Sequence, residues 1–308
     1  MRLQIRVNNL KVSYGKNIAL EIPSLNAEGK IIAVIGHNGS GKSTLIKTTL
    51  GLLTPKAGEL VISSKEGNQE LRLVPEKHMA FSPENGAVFE DLDVESYLKL
   101  WCRIKIGNPN YYKHHKIVEA LSITPLLKKL GRELSKGQKR RVQSVVGFLT
   151  KPKLFLFDEP FDGLDILQSN ELANIIQQEA AQMGMIISSH RMEVIERLAD
   201  LVIVLKSGKV HTFGTLDEVC TRLCNECFLV SHLPEQQALI SDLIPVLQKE
   251  FCDCIINQIG KQLLIAGNNI VIEDLQKFFF CYQAPPLKMD KIRPSLVDAM
   301  RYHLNKPH

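Results

Sequence analysis

With 308 residues, 44% of them apolar and 23% charged, the chain has the make-up of an ordinary globular protein of about two domains with room for a sizeable core. A net charge of +5 is a mild basic excess, and residues 220–308 hold nine Lys/Arg against nine Asp/Glu, so no nucleic-acid-binding tail and no nucleic-acid partner are expected. No charged-then-apolar leader and no apolar stretch long enough to cross a bilayer is found, so the expectation is a cytosolic chain whose membrane role, if it has one, runs through a partner. Seven cysteines without a secretory leader suggest reduced thiols.

Residues 1–30 read as antiparallel strands, with Gln4–Val7 and Ile18–Ile22 alternating around a turn at Gly15. Lys30–Ile35 is an apolar, β-branched run and reads as a buried strand. It leads into Gly36-His37-Asn38-Gly39-Ser40-Gly41-Lys42-Ser43-Thr44, and from Leu45 the pattern continues with helical spacing. Strand, glycine-rich loop and helix form the context in which G-x-x-x-x-G-K-[ST] binds phosphate. Gly36, Gly39 and Gly41 let the backbone curl, so that the N–H groups of a loop that includes Asn38, Ser40 and Thr44 can point at phosphate oxygens. The following helix adds its positive end. Lys42 supplies a full charge for β- and γ-phosphates, and the Ser43 hydroxyl can ligate Mg²⁺. Upstream, the Tyr14 ring could stack on a base or simply pack on its own sheet.

Leu60–Ser63, Leu71–Val74 and His78–Phe81 are short strand candidates, the last ending in Ser82-Pro83-Glu84-Asn85-Gly86. From Val94 to about Leu130 the pattern is helical, with a break at Gly107-Asn108-Pro109. In Leu134-Ser135-Lys136-Gly137-Gln138, Ser135 is placed to cap the helix that follows; its hydroxyl, the Gly137 N–H and the helix dipole make a second phosphate-seeking surface. The run Lys136, Lys139, Arg140, Arg141 reads as a solvated face with one or two useful charges. Leu154–Phe157 is a strand apolar on both faces that ends in Asp158-Glu159. Asp158 suits Mg²⁺, and Glu159 could polarise an attacking water. A turn at Phe161–Asp165, a helix over about Leu167–Met183 and a strand Met185–Ser189 bring His190 to the same sheet edge, as a candidate γ-phosphate contact. A hairpin around Ser207-Gly208 and a capping box at Thr215 close this part.

From about residue 225 the elements alternate anew. Phe228–Val230 reads as strand, Glu235–Lys249 as helix, Cys254–Ile259 and Gln262–Ala266 as a hairpin around Gly260, and Ile272–Phe280 as helix, together suggesting a split βαβ lobe. Cys220, Cys224 and Cys227 fall on one helix face, a spacing that could hold an iron–sulfur cluster or zinc, or could be three small buried side chains.

Gly36–Thr44, Leu134–Gln138, Leu154–Glu159 and His190 stand in the order and approximate spacing of the motifs of ATP-binding-cassette ATPases, and over about residues 1–220 the chain resembles that family. The resemblance implies an α/β fold: a RecA-like P-loop NTPase core with an antiparallel β subdomain and a helical subdomain at about 85–150, in a nucleotide-binding domain of residues 1–220. Residues 221–308 are left as a small α+β C-terminal domain. It implies hydrolysis of ATP with Mg²⁺ in a head-to-tail dimer with a second ATPase subunit, a homodimer or a related chain. Each ATP would lie between the P-loop of one subunit and Ser135, Gly137 and Gln138 of the other. Tyr14 then stacks on adenine, Glu159 is the general base, and Asp165 couples the two sites.

Two positions depart from the family pattern: Glu84 stands where glutamine is usual, as a Mg²⁺ and water ligand, and Lys136 replaces a glycine of the Leu-Ser-Gly-Gly-Gln motif. Pro294-Ser295-Leu296-Val297-Asp298-Ala299-Met300 and the Ser82-Pro83-Glu84 loop are similar to the ABC-2 exporter subgroup. The expected protein is therefore the ATPase subunit of an exporter, cytoplasmic and peripheral on the inner face of the cell membrane, driving a separate transmembrane permease subunit. The family's groove for that subunit would be lined by Val88, Phe89, Leu92, Val94, Tyr97 and Leu98. The alternatives are an importer, a soluble cassette ATPase acting on nucleic acid or ribosomes, and a regulator that no longer hydrolyses; retention of Glu159 and His190 speaks against the last.

Overall fold

The computed structural model describes residues 1–66 and 69–305. The chain divides into two compact units, Met1–Phe213 and Gly214 onward. The first runs β1 (Arg2–Tyr14), β2 (Asn17–Gly29), β3 (Ile31–Ile35), α1 (Lys42–Thr49), β4 (Ala57–Glu66), β5 (Gln69–Arg72), α2 (Pro75–His78) and β6 (Met79–Ser82). It continues with α3 (Val94–Ile106), α4 (Lys116–Ala120), α5 (Lys136–Leu149), β7 (Leu154–Asp158), α6 (Ile166–Glu179), β8 (Gly184–Ser189), α7 (Met192–Leu198), β9 (Leu201–Lys206) and β10 (Lys209–Gly214).

Two sheets follow from two kinds of strand. β1, β2, β4 and β5 pair antiparallel in the order β2-β1-β4-β5, with the β1–β2 hairpin closing at Gly15-Lys16. Leu3, Ile5 and Val7 alternate inward; Asn9, at φ 46°, rephases the strand so that Leu10 and Val12 also turn inward. The second sheet has the order β10-β9-β3-β8-β7-β6. Its central strands β3, β7 and β8 are buried along their whole length, as a parallel sheet covered on both faces requires. Leu45 and Ile46 of α1 pack into a core shared by both sheets, with Ile5, Leu20, Ile32 and Leu156. The parallel strands β3, β6, β7 and β8 therefore deliver Gly36, Glu84, Glu159 and His190 to one sheet edge, where open α/β sheets take ligands.

The helical stretch between β6 and β7 is more broken than its periodicity suggests. α3 is capped by Asp93, which accepts from Ser96 N at 2.9 Å, and ends at Gly107 in the left-handed region. Beyond it come single 3₁₀ turns and the five-residue α4. Pro109 and Pro125 each remove a backbone donor that a longer helix would need.

The second unit runs α8 (Leu216–Leu223), β11 (Glu226–Ser231), α9 (Gln237–Glu250), β12 (Ile255–Ile259), β13 (Gln262–Gly267), α10 (Ile272–Cys281), β14 (Lys288–Lys291) and α11 (Leu296–Asn305). Its boundary falls before α8, not inside that helix at 220/221, because α8 packs on α11. The sheet β12-β13-β11-β14 is antiparallel throughout, and the order β-α-β-β-α-β is the split βαβ arrangement. Ile240, Leu243 and Leu247 of α9 and Leu275, Phe278 and Phe279 of α10 share one core with Phe228, Val230 and Ile265 of the sheet.

Cys220, Cys224 and Cys227 are fully buried. The Cys224 thiol donates toward the carbonyls of Glu226 and Gly267, at 3.4 and 3.5 Å. Burial pushes Cys224 up to about 11 and Cys227 up to about 12, so both stay protonated at neutral pH. A metal needs thiolates, and among the described residues no group of three or more His, Cys, Asp or Glu could hold one. The iron–sulfur or zinc reading gives way to thiols packed as small apolar side chains. At about pH 8, iodoacetamide should label the exposed Cys252 and Cys281 and spare Cys224 and Cys227 until denaturant is added. Peptide mass mapping reads the outcome, and prompt labelling of Cys227 in the folded protein would contradict this packing.

Candidate active site

The loop between β3 and α1 has the backbone its glycines permit. Gly36 and Gly41 lie at φ 153° and 105°. A Cβ at Gly36 would sit 2.3 Å from the Leu205 carbonyl oxygen, and one at Gly41 2.6 Å from Leu20 Cδ2. Both positions thus need glycine for conformation and for space. The Ser40 hydroxyl is buried with no hydrogen-bond partner among the described residues, and Ser40 N donates to His37 O at 3.1 Å.

This loop forms the floor of a cleft of about 920 Å³. Of the residues singled out in the sequence, Tyr14, Asn38, Gly39, Gly41, Lys42, Ser43, Thr44, Glu84, Glu159 and His190 all line it. Tyr14, half-exposed at the end of β1, presents its ring to the same space. Gly36, Ser40 and Asp158 stand behind the lining. Ser135, Gly137 and Gln138 do not reach the cleft.

The polar groups form one connected set. The Lys42 ammonium is buried; it donates to Gly36 O at 3.0 Å and His37 O at 3.4 Å, and lies 3.5 Å from Glu159 Oε1. The other Glu159 oxygen accepts from His190 N at 3.1 Å and is 2.9 Å from His190 Nδ1. A carboxylate can only accept, so Nδ1 carries the proton here and Nε2 of a neutral ring is an acceptor. Ser43 Oγ donates to Asp158 Oδ1 at 3.2 Å, and Ser188 Oγ donates to the same oxygen at 2.5 Å. Ser43, Asp158 and Glu84 are a set of hard oxygen donors, which fits Mg²⁺. The arrangement offers a cation and backbone donors to phosphate, and a carboxylate beside them that can take a proton from water.

The N-terminal turn of α5 is a capping box. Ser135 Oγ accepts from Gln138 N at 3.2 Å, and Gln138 Oε1 accepts from Ser135 N at 3.0 Å. Gly137 packs so close to the turn after β7 that a Cβ would lie 2.7 Å from Gly163 O. Lys136 points its ammonium at Asp162, 2.6 Å away, and that ion pair holds the Asp162 carboxyl below its ordinary range. Asp165 caps α6, accepting from Gln168 N at 2.8 Å. The basic run is not a solvated face: Arg140 and Arg141 are buried, and Arg141 donates to Leu121 O at 3.2 Å. Sequence reasoning also passed over Ser188, which holds Asp158 and donates nothing visible to a motif search, and Asp162, which lines the cleft.

A second, apolar cleft of about 430 Å³ lies between β6 and the helices α3 and α5, with Phe81, Phe89, Tyr97, Trp101 and Val146 on its walls. Phe89 is 54% exposed and meets Tyr97 edge to face at 5.5 Å. Val88, Val94 and Leu98, expected in this groove, are core residues at 6%, 0% and 0% exposure. Val88 turns inward from the loop 83–93, whose two faces no period separates, and Val94 and Leu98 take the buried face of α3.

The family model described as ABC transporter matches residues 16–162. An uncharacterized ABC transporter ATP-binding protein of Methanocaldococcus jannaschii is 30% identical over 267 residues, covering 78% of this chain and 90% of that one. The molybdenum import ATP-binding protein ModC of Escherichia coli is 34% identical over 218 residues, and there the chain spans 60% of the relative's length. The solved structure of an ATP binding subunit of an ABC transporter superposes with TM-score 0.62 at 29% identity, covering 71% of this chain and 92% of that one. The chain belongs to the ATP-binding subunits of ABC transporters. Its nucleotide is ATP, and it is an ATPase.

Lys42→Ala removes the only ammonium lining the cleft among the described residues. ATP binding should weaken by roughly 10- to 100-fold, the worth of about 1.5–3 kcal/mol for hydrogen bonds to a charged group. Equilibrium dialysis with labelled ATP measures this, and unchanged affinity would place the phosphates away from Lys42.

Proposed function

We propose that this subunit, paired head to tail with a second ATPase subunit, hydrolyses Mg-ATP to drive a separate transmembrane permease. It works as a cytoplasmic protein, peripheral on the inner face of the cell membrane. The observation that carries the reading is the convergence of Lys42, Ser43, Glu84, Glu159 and His190 on one cleft. In this reading Tyr14 stacks on the adenine. The loop N–H groups and Lys42 bind the β- and γ-phosphates. Ser43, Asp158 and Glu84 would hold Mg²⁺, which neutralises phosphate charge. Glu159 accepts a proton from the attacking water, and His190 orients it and meets the γ-phosphate. Lys42 and His190 each contact one oxygen of the Glu159 carboxylate, so phosphates that engage Lys42 compete with the first of these contacts. The distance of Ser135, Gly137 and Gln138 from their own chain's cleft supports a site completed by the second subunit.

The direction we favour is export. The Pro294–Met300 tail supports it: Ser295 Oγ there accepts from Asp298 N at 3.1 Å, so the motif starts the last helix. Import is the second reading, favoured by the 34% identity to ModC. The comparisons speak for a transporter ATPase over the soluble alternative acting on nucleic acid or ribosomes. Among the described residues no helix is long and apolar enough to cross a membrane. The apolar cleft beside Phe89 is where that chain would dock.

Glu159→Gln should keep ATP binding and lose turnover by about 10²–10⁴-fold, the usual worth of a positioned general base. An ATP-bound dimer should then accumulate in gel filtration with Mg-ATP; turnover at the parental rate would remove Glu159 from the mechanism. Phe89→Asp, at an exposed position, should abolish co-purification with the permease while the melting temperature and ATP affinity stay parental. Retained co-purification and transport would move the docking surface elsewhere.

A further inference from the structure

Arg140 heads the large side chains that are fully buried, at 1% exposure, and nothing assigned so far uses it. From α5 its Nη1 donates to the main-chain carbonyl of Glu159, and its Nη2 lies 3.5 Å from Asp162 Oδ2. Asp162, Glu84, Glu159 and Asp158 surround the guanidinium electrostatically and oppose the cost of its burial. Its Nε has no acceptor among the described residues. An apolar side chain would fill this place in α5 without desolvating a charge.

Glu159 explains what the charge is for. It sits at φ 51°, a left-handed conformation that a residue with a side chain keeps only when its surroundings hold it there. Its N–H is held from β8, donating to Ser188 O and Oγ at 3.1 and 3.0 Å. Its carbonyl is held from α5 by Arg140. The turn that follows is held as well: Arg191 donates to Phe161 O at 3.1 Å, and Lys136 pairs with Asp162. In this backbone conformation the carboxylate meets Lys42 on one oxygen and His190 on the other.

We propose that Arg140 is a positioning residue for ATP hydrolysis: it grips the Glu159 carbonyl and so fixes the backbone conformation that aims the carboxylate into the cleft. The proposal rests on the reading of Glu159 as general base. A base displaced by about 1 Å loses on the order of 10²-fold in rate while substrate binding is spared.

The test is steady-state ATP turnover by the full-length chain as parent, Arg140→Met, Glu159→Gln and the double variant, with melting temperatures alongside. Arg140→Met should lower kcat by roughly 10- to 100-fold and leave KM for ATP within about threefold. In the Glu159→Gln background the same substitution should cost nothing further. Arg140→Lys, which keeps a charged donor, should recover part of the lost kcat. Parental kcat in Arg140→Met would overturn the proposal, as would an equal loss in both backgrounds. If Arg140→Met melts early, Arg140→Gln carries the same test: reduced kcat at parental KM supports the proposal, and parental kcat overturns it. The reading of Glu159 fails separately, if Glu159→Gln alone turns over at the parental rate.

Discussion

The site turns on a buried ion pair. Lys42 at the end of the phosphate loop and Glu159 at the end of β7, their side chains 7% and 10% exposed, lie 3.5 Å apart and neutralise each other. An ammonium and a carboxylate out of water are costly alone, so neither can leave unless another charge takes its place. In the proposed mechanism the phosphates of ATP are such a charge for Lys42. The Glu159 carboxylate also meets His190 Nδ1, at 2.9 Å, and in the proposed mechanism it accepts the proton of the attacking water. One pair thus satisfies two buried charges at once. The sheet exists, for this purpose, to bring the ends of β3, β7 and β8 within reach of each other.

The same economy governs the turn from Glu159 to Asp165. It is short, partly left-handed, and flanked by acids, and it keeps its shape through four side chains: Ser188 from β8, Arg191 just after it, and Arg140 and Lys136 from α5. Lys136 stands where the family has a glycine. Its side chain does not disturb the capping box of Ser135 and Gln138, because it leaves the helix toward Asp162. The substitution adds a tie between the N-terminal end of α5 and the turn after β7.

That the loop, Glu159 and His190 meet at one cleft was legible in the sequence because each stands at the end of an apolar strand, at fixed spacing. Gly36 and Gly41 can be nothing else where a Cβ would strike Leu205 and Leu20. β7 announces itself by being apolar on both faces, and the split βαβ lobe by its alternation. Arg140 was not legible: in a run of four basic residues, which ones turn inward depends on carboxylates and carbonyls brought from elsewhere in the chain. Val88 and Phe89 differ only in which side of a loop they take, and no period fixes that. β14, Lys-Met-Asp-Lys, lacks strand alternation and is a strand only because β11 offers it an edge. Cys220, Cys224 and Cys227 looked like ligands on one helix face, but α8 ends at Leu223, Cys227 lies in β11, and all three are buried thiols.

The central claim is that each chain carries half of a hydrolytic site: phosphate loop, Glu159 and His190 on one side, and the N-terminal turn of α5 on another face, for a second chain's nucleotide. Specific ATPase activity as a function of protein concentration tests this most directly, with the oligomeric state followed by light scattering in the same samples. Activity per chain should rise with concentration and level off as the ATP-bound dimer fills. Constant activity per chain, down to dilutions at which the protein is monomeric with Mg-ATP bound, would contradict it.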